Sequence, residues 1–264
     1  MQENPLGFKL IYPSRQLMPY VRSYWYFYGK QPLTAYHEEY MNPTGGYGIS
    51  FNFGNKLLVD DQNLNESVFL DGANTISRKV GFVGQVELLG IRFREGSAYP
   101  FLGIPLNELR NETAFLTTDK IKLLSLHAQL GELRTLSQRI QLIEEWLVDR
   151  LALGLTQTDI IPASLEMLRN GEMGLKIPNL ASKLGIGQRQ LERLYQVQVG
   201  MTPKQYFQLH RVDLARQALK HLTERTTTNL ALQLGYYDQA HFIREFKETL
   251  HLTPYAYMKR YSSL

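Results

Sequence analysis

The chain of 264 residues contains no cysteine. That absence excludes a disulfide framework, a thiolate metal site, a catalytic thiol and an iron–sulfur cluster. Long apolar runs are missing too, since no stretch approaches the ~18 consecutive apolar residues of a membrane-spanning helix. The start of the chain lacks a basic segment followed by an apolar run, so we expect no signal peptide. We therefore expect a cytoplasmic protein of one large or two ordinary domains, without a membrane partner.

Positive charge is only slightly in excess, with 29 Lys and Arg against 25 Asp and Glu. Its distribution along the chain is uneven. Residues 1–158 carry 15 basic and 16 acidic side chains, a net charge of −1, whereas residues 159–264 carry 14 and 9, a net charge of +5. This asymmetry indicates two domains, of which the second faces a polyanion. A solvated basic face is the alternative explanation.

The first part of the sequence is rich in strand-forming residues. Short runs of aromatic and β-branched residues are separated by Gly and Asn, which favours strands in a compact sandwich or barrel. In the clearest run, Ile49, Phe51 and Phe53 alternate with polar residues, as is typical of a half-buried strand. The predicted strands cover residues 23–28, 47–53, 56–59, 67–70, 79–83 and 86–93.

From about residue 104 the pattern becomes helical. Between residues 133 and 151 apolar side chains recur at steps of three and four, which predicts a long amphipathic helix. This helix either packs on the β-rich domain or pairs with its copy in a second chain, so both a monomer and a homodimer are expected possibilities. Residues 153–159 are predicted to form a short linker. The apolar positions are Leu133, Leu136, Ile140, Ile143, Leu147 and Leu151.

The strongest signal is an internal repeat in the last hundred residues. Residues 179–185 read NLASKLG and match NLALQLG at residues 229–235, an offset of 50 that becomes 51 beyond the glycine. The second copy therefore has one extra residue in its turn. Each copy predicts a short helix that ends at a glycine and a second helix with apolar anchors, which is a helix-turn-helix. A helix predicted over residues 204–219 connects the copies.

Residues of about 160–262 resemble the DNA-binding domain of AraC/XylS-type bacterial transcriptional regulators. The resemblance lies chiefly in the second copy, LALQLGYYDQAHFIREFK at residues 230–247, and in LTPYAY at residues 252–257. It implies an all-α domain that binds double-stranded DNA through two helix-turn-helix motifs, at about 177–198 and 227–250, joined by a long helix. The first copy departs from the family pattern at Gly187, where Ser is usual, and at Tyr195, where Phe is usual.

Three segments of the first part are similar to the amino-terminal domain of one branch of these regulators. They are LMPYVRSYW from residue 17, NPTGG from residue 42 and LGIRFREG from residue 89. The resemblance implies a cupin-like β domain followed by helices. We thus expect an α+β protein with a β-rich, cupin-like barrel or sandwich over residues 1–131, an amphipathic helix and linker over 132–158, and the all-α DNA-binding domain over 159–264.

The second helix of each motif is expected to enter the major groove and to meet base edges with its early residues. Arg suits guanine, Gln adenine, Glu cytosine, and small apolar side chains a thymine methyl group. A solvated helix face is the alternative for the whole set, and a core position is the alternative for Ile243. His241 and Arg244 are expected at phosphates or at the rim. The candidates are Gln188, Arg189, Glu192 and Arg193 in the first reader helix and Gln239, Ala240, His241, Ile243 and Arg244 in the second.

Aromatic residues of the β-rich domain are candidates for a small-molecule pocket, with an aromatic core as the alternative. No metal and no other cofactor is expected, because only His37 and His127 precede residue 159 and a cupin metal site needs several His. The aromatic candidates are Trp25, Tyr24, Tyr26, Phe51 and Phe53.

Further along, Arg211 and Arg216 lie beside Asp213 on the connecting helix. They are expected in an internal ion pair that braces the two halves of the domain, with DNA contact as the alternative. Thr202 and Thr253, which precede prolines, are expected to cap helices.

These features predict a sequence-specific transcriptional regulator and not an enzyme. The amino-terminal domain would be a sensor or dimerisation module that a small-molecule effector modulates, and RNA polymerase is a further expected partner. Two alternatives remain, a cupin-type metal-dependent enzyme and a regulator whose amino-terminal domain binds only protein partners. DNA-repair alkyl acceptors that carry the same reader domain need a Cys nucleophile, so the absence of cysteine excludes them.

Overall fold

A computed structural model of the chain describes residues 6–41, 43, 45–60, 62–64, 66–115, 119, 121–153, 158–170, 176–220 and 227–261. Strands occupy the first part of the chain and helices the second, so the protein is of the α+β class, as the sequence predicts. Most of the predicted linker lies outside the described residues, which do not include 154–157.

Ten strands in the described residues form two sheets in which all pairs are antiparallel. They are β1 (Leu6–Ile11), β2 (Val21–Gly29), β3 (Leu33–Met41), β4 (Gly48–Asn52), β5 (Leu57–Val59), β6 (Gln62–Leu64), β7 (Val68–Asp71), β8 (Arg78–Gly84), β9 (Glu87–Phe93) and β10 (Thr113–Phe115). The six-stranded sheet has the order β1-β2-β9-β4-β7-β10 and the four-stranded sheet the order β3-β8-β5-β6.

The six-stranded sheet is covered on both faces. On its central strand β4, Ile49 and Phe51 are 0% exposed and Ser50, which points the other way, is 1% exposed. The expectation of a half-buried strand is therefore wrong. Phe51 belongs to a core shared with helices, whereas Phe69, which pairs with Ser50, belongs to the apolar layer that the second sheet shares. Successive residues of a strand face opposite sides, so each face of β4 has its own cover.

Helices follow the strands and cover one face of the large sheet. They are α1 (Tyr99–Leu102), a 3-10 helix (Leu106–Leu109), α2 (Leu123–Glu132) and α3 (Leu136–Ala152). The predicted amphipathic helix is α3, whose Thr135 cap forms a capping box with Gln138. Ile143 and Leu147 of α3 are fully buried in the core of the β domain, so this stripe packs within its own chain. The stretch predicted as helical from residue 104 also contains β10, because pairing with β7 satisfies its backbone groups.

The carboxyl-terminal domain is helical in its described residues. Its helices are α4 (Ile160–Asn170), α5 (Ile177–Lys183), α6 (Gln188–Gln198), α7 (Pro203–Leu219), α8 (Thr227–Gln233), α9 (Gln239–Leu250) and α10 (Pro254–Tyr261). Both predicted threonine caps are confirmed, since Thr202 Oγ1 accepts from the amide of Gln205 at 3.2 Å and Thr253 Oγ1 from that of Ala256 at 3.2 Å. In the part of the chain described here, no helix has the length and hydropathy needed to cross a membrane.

Candidate nucleic-acid interface

The two copies of the repeat fold into the same turn. Gly185 ends the first short helix with φ of +69°, and Gly235 ends the other with φ of +73°, a left-handed conformation that favours glycine. The amide after each glycine donates to the carbonyl five residues earlier, at 3.1 Å and 3.0 Å. Ala181 and Ala231 are buried and small, so the following helix can approach closely. The structure thus confirms two helix-turn-helix motifs, α5–α6 and α8–α9.

Apolar anchors hold the second helix of each motif against its own domain. Leu191 and Tyr195 on α6 are 0% exposed, as are Phe242 and Phe246 on α9. In each helix the two anchors are four positions apart, so they lie on one face and leave the opposite face to solvent. We call these helices the first reader, α6, and the second reader, α9.

The first reader exposes its basic residues on the solvent face. Gln188, Arg189 and Arg193 are exposed, and Arg189 and Arg193 lie one turn apart on the same side. Glu192 is half-buried and accepts from Gln188 Nε2 at 2.9 Å. Gly187 stands at the cap position before Gln188 and provides no side-chain bond to the helix. The four candidates therefore lie together on the first turns of the helix, as base-edge readout needs.

The second reader also presents its early residues. Asp238 caps α9 by accepting from the amide of His241 at 2.7 Å. Gln239 and Ala240 in the first turn and Arg244 one turn later are exposed. The structure therefore brings these three candidates together on one accessible surface at the start of the helix.

Two candidates of the second reader are partly withdrawn from that surface. Ile243 is half-buried and packs against the core of its own motif, which is the alternative position that the sequence leaves open for it. The half-buried ring of His241 meets the ring of Tyr236 edge-on at 5.3 Å, and its Nε2 lies 3.7 Å from Glu245 Oε2. Both side chains thus pack against their own motif and remain partly exposed on α9.

Comparison with known proteins finds a match for each of the two domains. The helix-turn-helix domain family matches residues 180–260, and a domain of unknown function, DUF6597, matches residues 9–115. The HTH-type transcriptional regulator CdhR of Pseudomonas aeruginosa is 29% identical over 101 residues, which cover 38% of this chain and 30% of CdhR. An uncharacterized HTH-type transcriptional regulator of Haemophilus influenzae is 28% identical over 100 residues, 38% of this chain and 33% of the relative. These matches span about a third of each relative's length.

The similarity in fold extends beyond the reader domain. The structure of ToxT from Vibrio cholerae covers 98% of this chain, and this chain covers 100% of it, with a TM-score of 0.50 and 10% identity. The two helix-turn-helix motifs of the carboxyl-terminal domain are thus similar to those of HTH-type transcriptional regulators, and the fold of the whole chain is similar to that of ToxT.

The five aromatic candidates of the β domain lie on two faces of one sheet. Tyr24, Tyr26, Phe51 and Phe53 pack toward the helices, with the first core. Trp25 lies on the opposite face, in the layer between the sheets, where its indole covers a glycine of β9. The structure therefore does not bring the five residues together around a single cavity.

The candidates on the helix side have structural partners. Tyr24 is 0% exposed and donates to Glu144 on α3 at 3.1 Å. Phe53 stacks on His127 with a centroid distance of 4.6 Å, and the guanidinium of Arg139 lies 4.6 Å from the same ring. These contacts are those of a packed core.

Among the residues that the structure describes, no three His, Asp or Glu side chains form a group that could hold a metal ion. His37 contacts Glu39 at 3.1 Å on β3, and His127 Nε2 lies 2.8 Å from the carbonyl oxygen of Asn52 on the other side of the large sheet.

The β domain contacts the reader domain at both motifs and at α4. Its 3-10 helix lies against α6 of the first motif. Glu95, whose side chain is 16% exposed, accepts from Arg22 at 3.1 Å and from Arg169 of α4 at 2.8 Å. The contact with the second motif is polar, since the amide of Ser77 donates to the carbonyl of Thr249 at 3.0 Å, near the end of α9. Residues from both domains also line a cavity of about 250 Å³ at this junction.

Both arginines of the connecting helix form internal ion pairs, as predicted. Arg216 pairs with Asp213 at 2.5 Å. Arg211 bonds not to Asp213 but to Glu245 on the second reader. The two residues are 34 positions apart, so only the packing of α7 against α9 reveals the pair.

The inserted residue of the second turn is Tyr237, which did not figure among the predicted site residues. Its side chain is 89% exposed and stands immediately before the cap of the second reader. The change of offset from 50 to 51 was the signal in the sequence, since it places one additional residue at this position.

Proposed function

We propose that this protein is a sequence-specific transcriptional regulator that reads double-stranded DNA with α6 and α9 in two successive stretches of major groove. The observation that carries the proposal is the duplicated motif, with matching glycine turns, buried anchors and exposed early residues on both readers. The connecting helix α7 would hold the readers about one helical turn of DNA, ~34 Å, apart.

The charge distribution supports the same proposal. Residues 159–264 carry a net charge of +5, and Arg189, Arg193 and Arg244 are exposed on the two readers. Lys and Arg side chains displace counterions from DNA, so affinity should fall steeply as salt rises. In our proposal Arg189, Arg193, Gln188 and Glu192 read bases in the first stretch. Gln239, Ala240 and Ile243 read bases in the second, and His241 and Arg244 bind phosphates or the rim.

Selection from a randomised DNA duplex by the full chain tests this function. We expect two conserved blocks about one helical turn apart, ~10 base pairs. Arg193→Ala should weaken binding ~5- to 150-fold and relax preference at one or two positions in one block only, the effect of losing a bidentate base contact. Arg134→Ala removes the same charge from an exposed site on the β domain and should leave preference unchanged.

For the second reader, Gln239→Ala should relax preference in the other block. Arg244→Ala should weaken binding evenly across sequences, as loss of a phosphate contact does. If the selected pool shows no sequence preference, and the arginine variants bind as the wild type does, the proposed function is refuted.

We infer further that a small molecule bound by the β domain modulates reading. One support is a pair of polar side chains within the apolar layer between the sheets. Ser50 Oγ donates to Asp71 at 2.6 Å. Ser50 lies on the same face of the sheet as Trp25, the aromatic candidate of that layer. Burial raises the pKa of Asp71. The other support is the contact of the β domain with both motifs, through which a change in one domain would reach the readers.

A thermal-shift screen of metabolites tests the effector proposal. A ligand at a hundred times its Kd should stabilise the protein by ~2.7 kcal/mol. Trp25→Leu should weaken that shift, and Tyr12→Leu, at an exposed site that is 72% accessible, should leave it unchanged. A ligand that shifts stability without altering DNA affinity would contradict modulation.

One observation favours the alternative in which the β domain binds protein partners. The edge strand β1 exposes Phe8 and Leu10, which are 59% and 49% accessible, and Tyr12 follows just beyond it. Exposed apolar side chains on a sheet edge are typical of protein contacts. Sedimentation of the wild type and of Phe8→Glu separates the alternatives, because loss of self-association in the variant would support a second chain at this edge.

A further inference from the structure

The two readers are attached to the rest of the molecule in different ways. The first reader shares one continuous apolar core with the β domain, in which Leu191 and Ile49 both lie. The second reader has a core of its own, which includes Phe242. The connecting helix α7 belongs to both, since Leu209 lies in the first core and Val212 in the second. The core that orients α6 therefore does not orient α9.

A buried ion pair lies where α7 passes from one core to the other. Arg211 stands between Leu209 and Val212, and its side chain is 10% exposed. Its Nη2 donates to both carboxylate oxygens of Glu245 at 2.9 Å, and the Glu245 side chain on α9 is 9% exposed. The pair thus joins the connecting helix directly to the second reader, with little solvent to weaken it.

Neighbouring groups orient both partners of the pair. Tyr236 Oη donates to Glu245 Oε1 at 2.8 Å, and Gln208 Nε2 donates to Oε2 at 3.3 Å. The Arg211 guanidinium lies 4.3 Å from the centroid of the Tyr236 ring and 5.2 Å from that of Phe207. Burial and the Glu245 carboxylate raise the pKa of Tyr236, so its phenol remains a donor at neutral pH. The network spans α7, the inserted turn and α9.

We propose that Arg211 and Glu245 are positioning residues for the second reader, which set the orientation of α9 on α7 and hence the register of its DNA contacts. The proposal rests on the proposed function, reading by two helices. Glu245 directly follows Arg244, so a rotation of α9 that the pair prevents would move Arg244 and Gln239 away from their contacts. Three contacts fix the plane of the Arg211 guanidinium, namely the Nη2 bonds to Glu245, the Nη1 bond to the carbonyl of Gly235 at 3.5 Å and the ring of Tyr236. Such directional contacts define an orientation more narrowly than apolar packing does.

The double variant Arg211→Met/Glu245→Met tests the proposal with DNA selected by the wild type. Apolar replacement of a buried ion pair by side chains of similar volume is often neutral or stabilising, so we expect a folded protein. Base changes in the second block that lower the DNA affinity of the wild type ~5- to 150-fold should lower that of the variant less than about threefold. Discrimination in the first block should persist, because α6 keeps its core.

A matched control and a second variant complete the test. Asp213→Met/Arg216→Met removes an ion pair from the same helix with no change of net charge. Base changes in either block should lower its DNA affinity as much as they lower that of the wild type. Arg211→Lys keeps the charge but not the planar guanidinium, which bonds to the carbonyl of Gly235 and lies over the ring of Tyr236, so it should lose second-block discrimination in part.

If Arg211→Met/Glu245→Met and Arg211→Lys both keep full discrimination in the second block, the positioning role is overturned while the proposed function stands. If the wild type selects no second block, the proposed function itself fails and this proposal fails with it.

Discussion

Replacing Gly200 by alanine should disturb the contact between the β domain and the first motif. Gly200 follows α6 with φ of +79°, a conformation that costs other residues ~1–2 kcal/mol. A Cβ at this position would overlap the hydroxyl oxygen of Tyr47 and lie 2.9 Å from the carbonyl oxygen of Leu106. Tyr47 is 1% exposed and donates to that carbonyl at 2.9 Å. Alanine must therefore displace a buried, hydrogen-bonded side chain.

Two contributions give the expected size of the effect. The backbone contributes ~1–2 kcal/mol, and a displaced Tyr47 that leaves the Leu106 carbonyl unpaired adds ~1–3 kcal/mol. We expect Gly200→Ala to lower the free energy of unfolding by about 2–5 kcal/mol in total. Urea unfolding followed by the fluorescence of Trp25 and Trp146 measures this as a lower midpoint with an unchanged slope.

The variant Tyr47→Phe is the matched control. Alone it removes the hydrogen bond and should cost ~1–3 kcal/mol. Combined with Gly200→Ala it also removes the oxygen that the new methyl group overlaps, so the double variant should lose less than the sum of the single losses. A loss below ~1 kcal/mol for Gly200→Ala, or full additivity of the two changes, would refute this account of the contact.

Three further changes test two helix caps and one half-buried histidine, His210. Gly187→Ser should stabilise the protein by a few tenths of a kcal/mol in urea unfolding, because Gly187 has the extended backbone of a cap and no atom lies within 4 Å of a new Cβ. Asp238→Ala should cost ~0.5–2 kcal/mol and lower the helicity of the second reader, which circular dichroism would detect. Burial and Arg169 lower the pKa of His210, so the folded protein binds fewer protons and its stability should decline as pH falls below ~6.5. His210→Gln should reduce the difference in free energy of unfolding between urea series at pH 7.5 and pH 5.5. If that difference is the same in the variant and the wild type, His210 is not its cause.

Much of the reader domain was predictable because each motif is local. About twenty residues contain the alanine that allows close approach, the glycine that ends a helix and the anchors four positions apart. Each copy of the repeat, from residue 179 and from residue 229, therefore contains the residues that determine its fold. The caps at Thr202 and Thr253 are equally local, since their bonds reach only three residues along the chain. Six of the strands were predicted for the same reason, from runs of β-branched and aromatic residues.

The remaining strands depend on partners far along the chain. β3 reads LTAYHEEYM, without apolar alternation, and it forms because its backbone pairs with β8. Likewise β10 exists through β7, more than 40 residues earlier. From the sequence, Trp25 and Tyr24 are candidates for one pocket, but successive residues of a strand point to opposite sides. The tertiary structure shows that Tyr24 faces the helices and Trp25 the second sheet.

The sequence by itself thus determined the two motifs and the early residues of each reader, because hydrogen bonds and packing within about twenty residues define them. Only the tertiary structure decided how the readers are held. It placed the first in the core of the β domain and gave the second a core of its own. It also paired Arg211 with Glu245 and not with nearby Asp213, because helices from distant parts of the chain supply the burial and the partner.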